Sequence, residues 1–290
     1  MSSKLRCFAA LGLVLILSSA NRSGQDRYFA QPLPSVQTVT DIPFRLYGDY
    51  AIVVRGSVGE RHKLNFLIDT GSSSTVVADS LARKLRLARA PRKISVFDST
   101  VVAEEAVVPS LRLGPLQVAL LPVVVQDLSS LQEAFSVRID AVVGIDVLSR
   151  SSFTVDYKGK KLIWGSLEPL SDPVSCDPCF PYPTVRLEIG NRTLRVFVDT
   201  GAGELALFEN RTGVIPGTQV VGQETRTTIR GQVVVKTVEF HELTLGTTHW
   251  ARREGSLMEG SLFDGTLGPK WLRAKRVRFD FEHKIISWEK

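Results

Sequence analysis

The chain reads as short apolar runs, rich in Val, Leu, Ile and Phe, cut at close intervals by Gly, Pro, Asn and Asp. Runs of this kind predict strands, because a few alternating residues fit a pleated surface and not a sustained helical stripe. The clearest hairpin turns are Ser57-Val58-Gly59-Glu60-Arg61 and Glu188-Ile189-Gly190-Asn191-Arg192, followed by Tyr157-Lys158-Gly159-Lys160. Gly-Asn at 190–191 suits backbone positions with φ above zero. Two further alternating stretches turn around Asp98-Ser99 and Arg230-Gly231. One helix is expected, Asp79 through Leu87, with Asp79 as its cap, Leu81 and Leu85 inward, and Arg83, Lys84 and Arg86 solvated. A mostly β fold follows.

The pattern occurs twice. The apolar runs Leu64-Asn65-Phe66-Leu67-Ile68 and Leu194-Arg195-Val196-Phe197-Val198 each end in Asp-Thr-Gly, at 69–71 and 199–201. Asp140-Ala141-Val142-Val143-Gly144 recurs as Asp264-Gly265-Thr266-Leu267-Gly268, and Leu111-Arg112-Leu113-Gly114 as Leu243-Thr244-Leu245-Gly246. Beyond these, Leu148, Asp156, Lys160 and Trp164 keep register with Leu272, Asp280, Lys284 and Trp288. A long unit present twice is not a solenoid, which stacks about three or more short repeats. It predicts two similar lobes related by a pseudo-twofold axis.

Equivalent turns on two such lobes can deliver two carboxylates, Asp69 and Asp199, to one site. Carboxylates a few ångströms apart cannot both ionise, so the pair holds one proton and serves as acid and base together. Gly71 and Gly201 lack a Cβ, which lets backbone N–H groups approach the carboxylates. Ser72 is expected to donate a further hydrogen bond to Asp69. Ala202 has no hydroxyl to do so for Asp199, and this asymmetry would make Asp199 the more readily protonated partner.

These residues resemble the aspartic peptidases, and within them the retropepsin-like branch: an apolar-apolar-Asp-Thr-Gly motif followed later by an apolar-apolar-Gly segment, in each half. Thr266 is a polar departure from the second motif. The resemblance covers about residues 45–165 and 184–290 and implies a bilobed acid-protease fold, two retropepsin-like β-barrel lobes fused in one chain. It implies an endopeptidase that needs no cofactor or metal and takes a peptide or protein substrate. It gives Asp69 and Asp199 the catalytic role, with Thr70 and Thr200 locking the two turns together. It places substrate-covering flaps at the alternating stretches, with Phe97, Asp98, Ser99, Arg230 and Gly231 at or beside their tips. Neither stretch has the tyrosine of pepsin-like flaps, so pepsin's substrate preferences do not carry over.

Two other readings stand beside it. A binding or inhibitory protein could keep the scaffold without turnover, though such relatives usually lose an aspartate and this chain keeps both. A β-rich interaction protein could use the motifs as plain turns, which leaves the apolar-apolar-Gly segments unexplained.

Composition bounds the rest. With 290 residues, 43% of them hydrophobic, the chain suffices for two lobes with a core each. Lys4 and Arg6, the apolar stretch Cys7–Leu17 and the small residues Ser18-Ser19-Ala20 predict a cleaved targeting segment over residues 1–20. Export to the periplasm or the outside, with no stable membrane span, is therefore expected. Residues 21–43 read as a flexible lead-in, 44–165 as the first lobe, 166–183 as a linker and 184–290 as the second lobe. The formal charge of +6 falls to +4 once Lys4 and Arg6 leave. No aromatic-interleaved basic motif points to nucleic acid. The linker's prolines are expected to prevent ladder pairing and give a stiff strap. Its Cys176 and Cys179 read first as a disulfide in an exported protein, ahead of a redox pair or a zinc site. Because one chain carries both half-sites, a monomer is expected.

Overall fold

The computed structural model describes residues 15–17, 39–96, 99–165, 168–228, 231–260 and 263–290. It is mostly strand. In the first half the strands lie in the order Ala51–Val58, Arg61–Ile68, Ala141–Val143, Val76–Ala78, Leu116–Gln126, Ser99–Leu113, Arg89–Val96. In the second half they lie as Thr184–Ile189, Arg192–Val198, Gly265–Leu267, Leu205–Phe208, Thr248–Met258, Gly231–Leu245, Gln219–Thr228. The two orders match strand for strand, including the parallel pairs Arg61–Ile68 with Ala141–Val143 and Arg192–Val198 with Gly265–Leu267. In each half the first strand also reaches the sixth, pairing Ser57 with Arg112 and Glu188 with Thr244. The repeated sequence thus becomes repeated topology.

The short central strands Val76–Ala78, Ala141–Val143, Leu205–Phe208 and Gly265–Leu267 are buried at every position. That is why they read as unbroken apolar runs with no alternation. Thr266 is the exception, and its hydroxyl is buried without a hydrogen-bond partner.

The closing hairpins hold the halves together. Phe153–Asp156 and Lys161–Trp164 form one, Arg276–Asp280 and Ile285–Glu289 the other. They pair with each other across the repeat, Phe153 opposite Phe279, and those two rings stack at 5.0 Å. Trp164 and Trp288, equivalent in the repeat, are both fully buried. One continuous sheet therefore crosses from half to half.

Several expectations need correction. The linker does not escape ladder pairing: Asp172–Ser175 pairs with Ile285–Trp288, Pro173 opposite Ser287. It lies at the end of the sheet order, where a proline's missing N–H deprives no neighbour. The lead-in ends earlier than residue 43, since Thr40–Tyr47 is a strand paired with Lys161–Trp164. The helix spans Asp79–Lys84, shorter than expected, with Ala78 at the N-cap and no side-chain cap. Asp79 is its first helical residue and instead forms ion pairs with Arg83 and Arg89. Leu81 is buried and Leu85 is half-buried against the core. Further short helices, unmarked by periodicity, span Ser129–Phe135, Ile145–Leu148 and Glu209–Thr212.

Cys176 and Cys179 form a disulfide. Among the described residues no helix is long and apolar enough to cross a membrane. The expected targeting segment lies outside the described residues except for Leu15–Leu17, which pairs with Ile94–Val96.

Candidate active site

Each Asp-Thr-Gly turn is hung from the strand that precedes it and the short strand beside it. The Asp69 N–H donates to the Val143 carbonyl at 3.1 Å, and the Asp199 N–H to the Leu267 carbonyl at 3.0 Å. Asp140, first residue of the second motif, pins the register. Its N–H donates to the Asn65 carbonyl at 2.9 Å, and its carboxylate accepts from the Asn65 N–H at 2.9 Å. Asp264 does the same with Arg195, at 2.9 and 2.8 Å. The motif's glycines permit the close approach behind the turns. A Cβ on Gly144 would lie 2.7 Å from the Ser72 carbonyl oxygen, and one on Gly268 would lie 2.3 Å from that of Ala202.

The two turns meet through their threonines. Thr70 donates its hydroxyl to the Val198 carbonyl at 2.7 Å, and Thr200 donates its own to the Ile68 carbonyl at 2.9 Å. Each hydroxyl also accepts the backbone N–H of the other threonine, both at 3.0 Å. Four buried hydrogen bonds therefore tie residues 68–70 to 198–200 reciprocally. Such groups have no water to fall back on, which fixes the register of the halves at the carboxyls.

Asp69 and Asp199 are brought together at the centre, both fully buried. Oδ1 of Asp69 accepts the Gly71 N–H at 2.9 Å, and Oδ1 of Asp199 the Gly201 N–H at 2.7 Å. Oδ2 of each takes no hydrogen bond from a protein donor, and the two carboxyls are close enough to bond each other. Their contact requires Gly71, where a Cβ would lie 2.5 Å from the Asp199 carboxyl. Burial pushes Asp69 well above the usual carboxylate range, reinforced by the negative charge of Asp199. Burial likewise pushes Asp199 up to about 7, opposed by hydrogen bonds from Asp69 and the glycine N–H groups. The proton belongs to the pair.

Ser72 departs from expectation: its hydroxyl donates to the Ser74 carbonyl at 2.7 Å and not to Asp69. A bond within its own loop satisfies it, so the expected hydroxyl asymmetry between the two aspartates has no donor behind it. Phe97, Asp98 and Arg230 lie outside the described residues. Ser99 and Gly231 open the strands Ser99–Leu113 and Gly231–Leu245, opposite Val96 and Thr228.

Sequence reading missed three groups around the centre. Tyr50 and Tyr182 each precede the first strand of a half, and both are buried near the carboxyls, whose charge reaches their hydroxyls. Tyr50 packs against Gly203, and Tyr182 lies beside Ser73. The repeat register sets Tyr50 against Pro181 and Tyr182 against Ala51, so the repeat alone does not pair them. Asp146 is buried under the first turn, accepting the Thr75 N–H at 2.9 Å and hydroxyl at 2.8 Å. Burial raises it to about 6. Arg226 is buried between Glu204 and Glu224, and nothing in the local sequence marks it.

No curated protein matches the chain. A family model described as aspartyl protease matches residues 54–147, a stretch that contains Asp69 with its turn, Asp140 and Asp146. Over that stretch the chain is similar to the aspartyl protease family.

Proposed function

We propose that the protein is an exported aspartic endopeptidase: two pseudo-twofold-related, retropepsin-like β-barrel lobes, fused in one chain and acting as a monomer, with Asp69 and Asp199 as the catalytic pair. The observation that carries this is the buried contact of two carboxyls on equivalent turns, each held at Oδ1 by its own glycine N–H. Export rests on the basic start, apolar stretch and small residues of the first 20 positions.

In the reaction, a water between the carboxyls is deprotonated by the ionised aspartate as its oxygen attacks the scissile carbonyl carbon. The protonated partner donates to the carbonyl oxygen and neutralises the charge that develops there. The tetrahedral intermediate then collapses: the C–N bond breaks, the leaving nitrogen takes a proton from the pair, and a carboxyl and an amine are released. Burial favours this chemistry by keeping one proton on the pair near neutral pH. The Thr70–Thr200 bonds keep the two acids from drifting apart as charge moves between them.

Asp69→Asn and Asp199→Asn test the assignment. An amide keeps the shape but cannot exchange the proton, so each variant should fold normally and lose at least about a hundredfold in turnover of a cleaved peptide. Near-wild-type activity in either variant would remove the pair from the mechanism.

A further inference from the structure

A cavity of about 900 Å³ is lined in part by Tyr50, Gly203, Glu204, Glu224, Arg226 and Glu254. That size suits a side chain or small ligand. It adjoins the centre through Tyr50, whose ring packs on Gly203 and whose hydroxyl lies within the field of both aspartates. The Tyr50 hydroxyl is buried without a hydrogen-bond partner.

Five acidic and five basic side chains line the cavity, and they are unevenly paired. Arg226 donates through Nε to Glu224 at 2.9 Å, through a terminal nitrogen to Glu204, and to the Ser256 hydroxyl at 3.1 Å. Ser256 in turn donates to Glu204 at 2.6 Å. All these bonds to the glutamates fall on Oε1, so Oε2 of neither is used in them. One guanidinium thus faces two carboxylates, and Glu254 adds a third negative charge that acts on Glu224. The other inner cation, Arg253, is taken by Trp271, whose carbonyl it meets and whose ring it covers at 4.6 Å. Arg252 pairs with Glu239 at 3.4 Å and Lys270 with Asp49 at 3.6 Å, and Arg273 also lines the cavity. An anion entering would displace carboxylates from Arg226. A cation would relieve their crowding.

We propose that this cavity is a specificity subsite for a cationic side chain, lysine or arginine, of the bound peptide, with Glu204 and Glu224 as charge partners. The site is one-sided, because the residue five after Asp69 is the neutral Ser74. The inference rests on the peptidase reading for the identity of its ligand.

The test uses binding as well as cleavage. A fluorescent peptide set carrying lysine or norleucine at each position in turn is titrated against the full-length Asp199→Asn protein, and the same set is given to the wild type for cleavage. Lysine should be preferred by at least about tenfold at one position, on one side of the cleavage point only, the scale of a charge-assisted hydrogen bond. Adding Glu204→Gln, checked for folding by circular dichroism, should collapse that preference; Glu224→Gln serves if the first variant does not fold. Equal binding of lysine and norleucine peptides at every position would overturn the subsite, as would a preference indifferent to both substitutions. Lysine-selective binding with no cleavage by the wild type would sink the peptidase reading and leave the subsite standing.

Discussion

Replacing Thr200 by Val keeps the side-chain volume and removes the hydroxyl that donates to the Ile68 carbonyl and accepts the Thr70 N–H. Both backbone groups are then buried without a partner. An unsatisfied buried donor or acceptor costs about 1–3 kcal/mol, so the loss should be roughly 3 kcal/mol. That is a large share of a typical stability of about 5–15 kcal/mol. For a chain of this size each kcal/mol lowers the melting temperature by about 2–4 °C, which gives a drop of roughly 9 °C. Thermal melts and urea titrations of the protein measure it. Thr200→Ser retains the hydroxyl and loses only a methyl, so it should recover most of the difference, to within about 1 kcal/mol of wild type. If Thr200→Val melts within a degree of wild type, or the serine variant is no better than the valine one, the threonine bonds do not hold the halves together.

Stability should fall as pH rises from about 4 to 7. Asp146 is raised from 3.8 to about 6 in the folded chain, and the Asp69–Asp199 pair is raised as well, so the unfolded chain releases those protons first. The stability they confer is complete below about 3.8 and lost as pH passes the folded values, with Asp146 alone accounting for about 3 kcal/mol. Urea midpoints that climb across this window would contradict it, and Asp146→Asn should flatten the slope. Gly71→Ala should leave the circular dichroism spectrum intact yet lower kcat at least about a hundredfold, because the new Cβ would push the Asp199 carboxyl from its partner. Asp69→Asn and Asp199→Asn proteins, unfolded together and refolded as a mixture, should stay inactive. Activity that returns and grows with concentration would show lobes exchanging between chains.

Sequence alone was enough to read the repeat, the strands and the hairpin turns. Each of those is written locally, in period-two alternation, in a glycine where φ is positive, or in a motif that occurs twice. Gly190 does take a φ of 58°, and Lys160 and Lys284, matched in the repeat, take 52° and 56°. What the sequence could not yield is whatever depends on residues distant in the chain. Ser72 was aimed at Asp69 by proximity, but its hydroxyl is satisfied two residues away. Asp79 looked like a cap, yet two arginines claim its carboxylate. Pro173 looked like a strand breaker until its segment fell at a sheet edge. Tyr50, Asp146 and Arg226 carry no local signature, because a buried polar side chain differs from an exposed one only in what the fold packs around it. The contact of Asp69 with Asp199 is of the same kind: the motifs supply two acids, and the four hydrogen bonds between Thr70 and Thr200, spanning 128 to 132 residues of sequence, set them face to face.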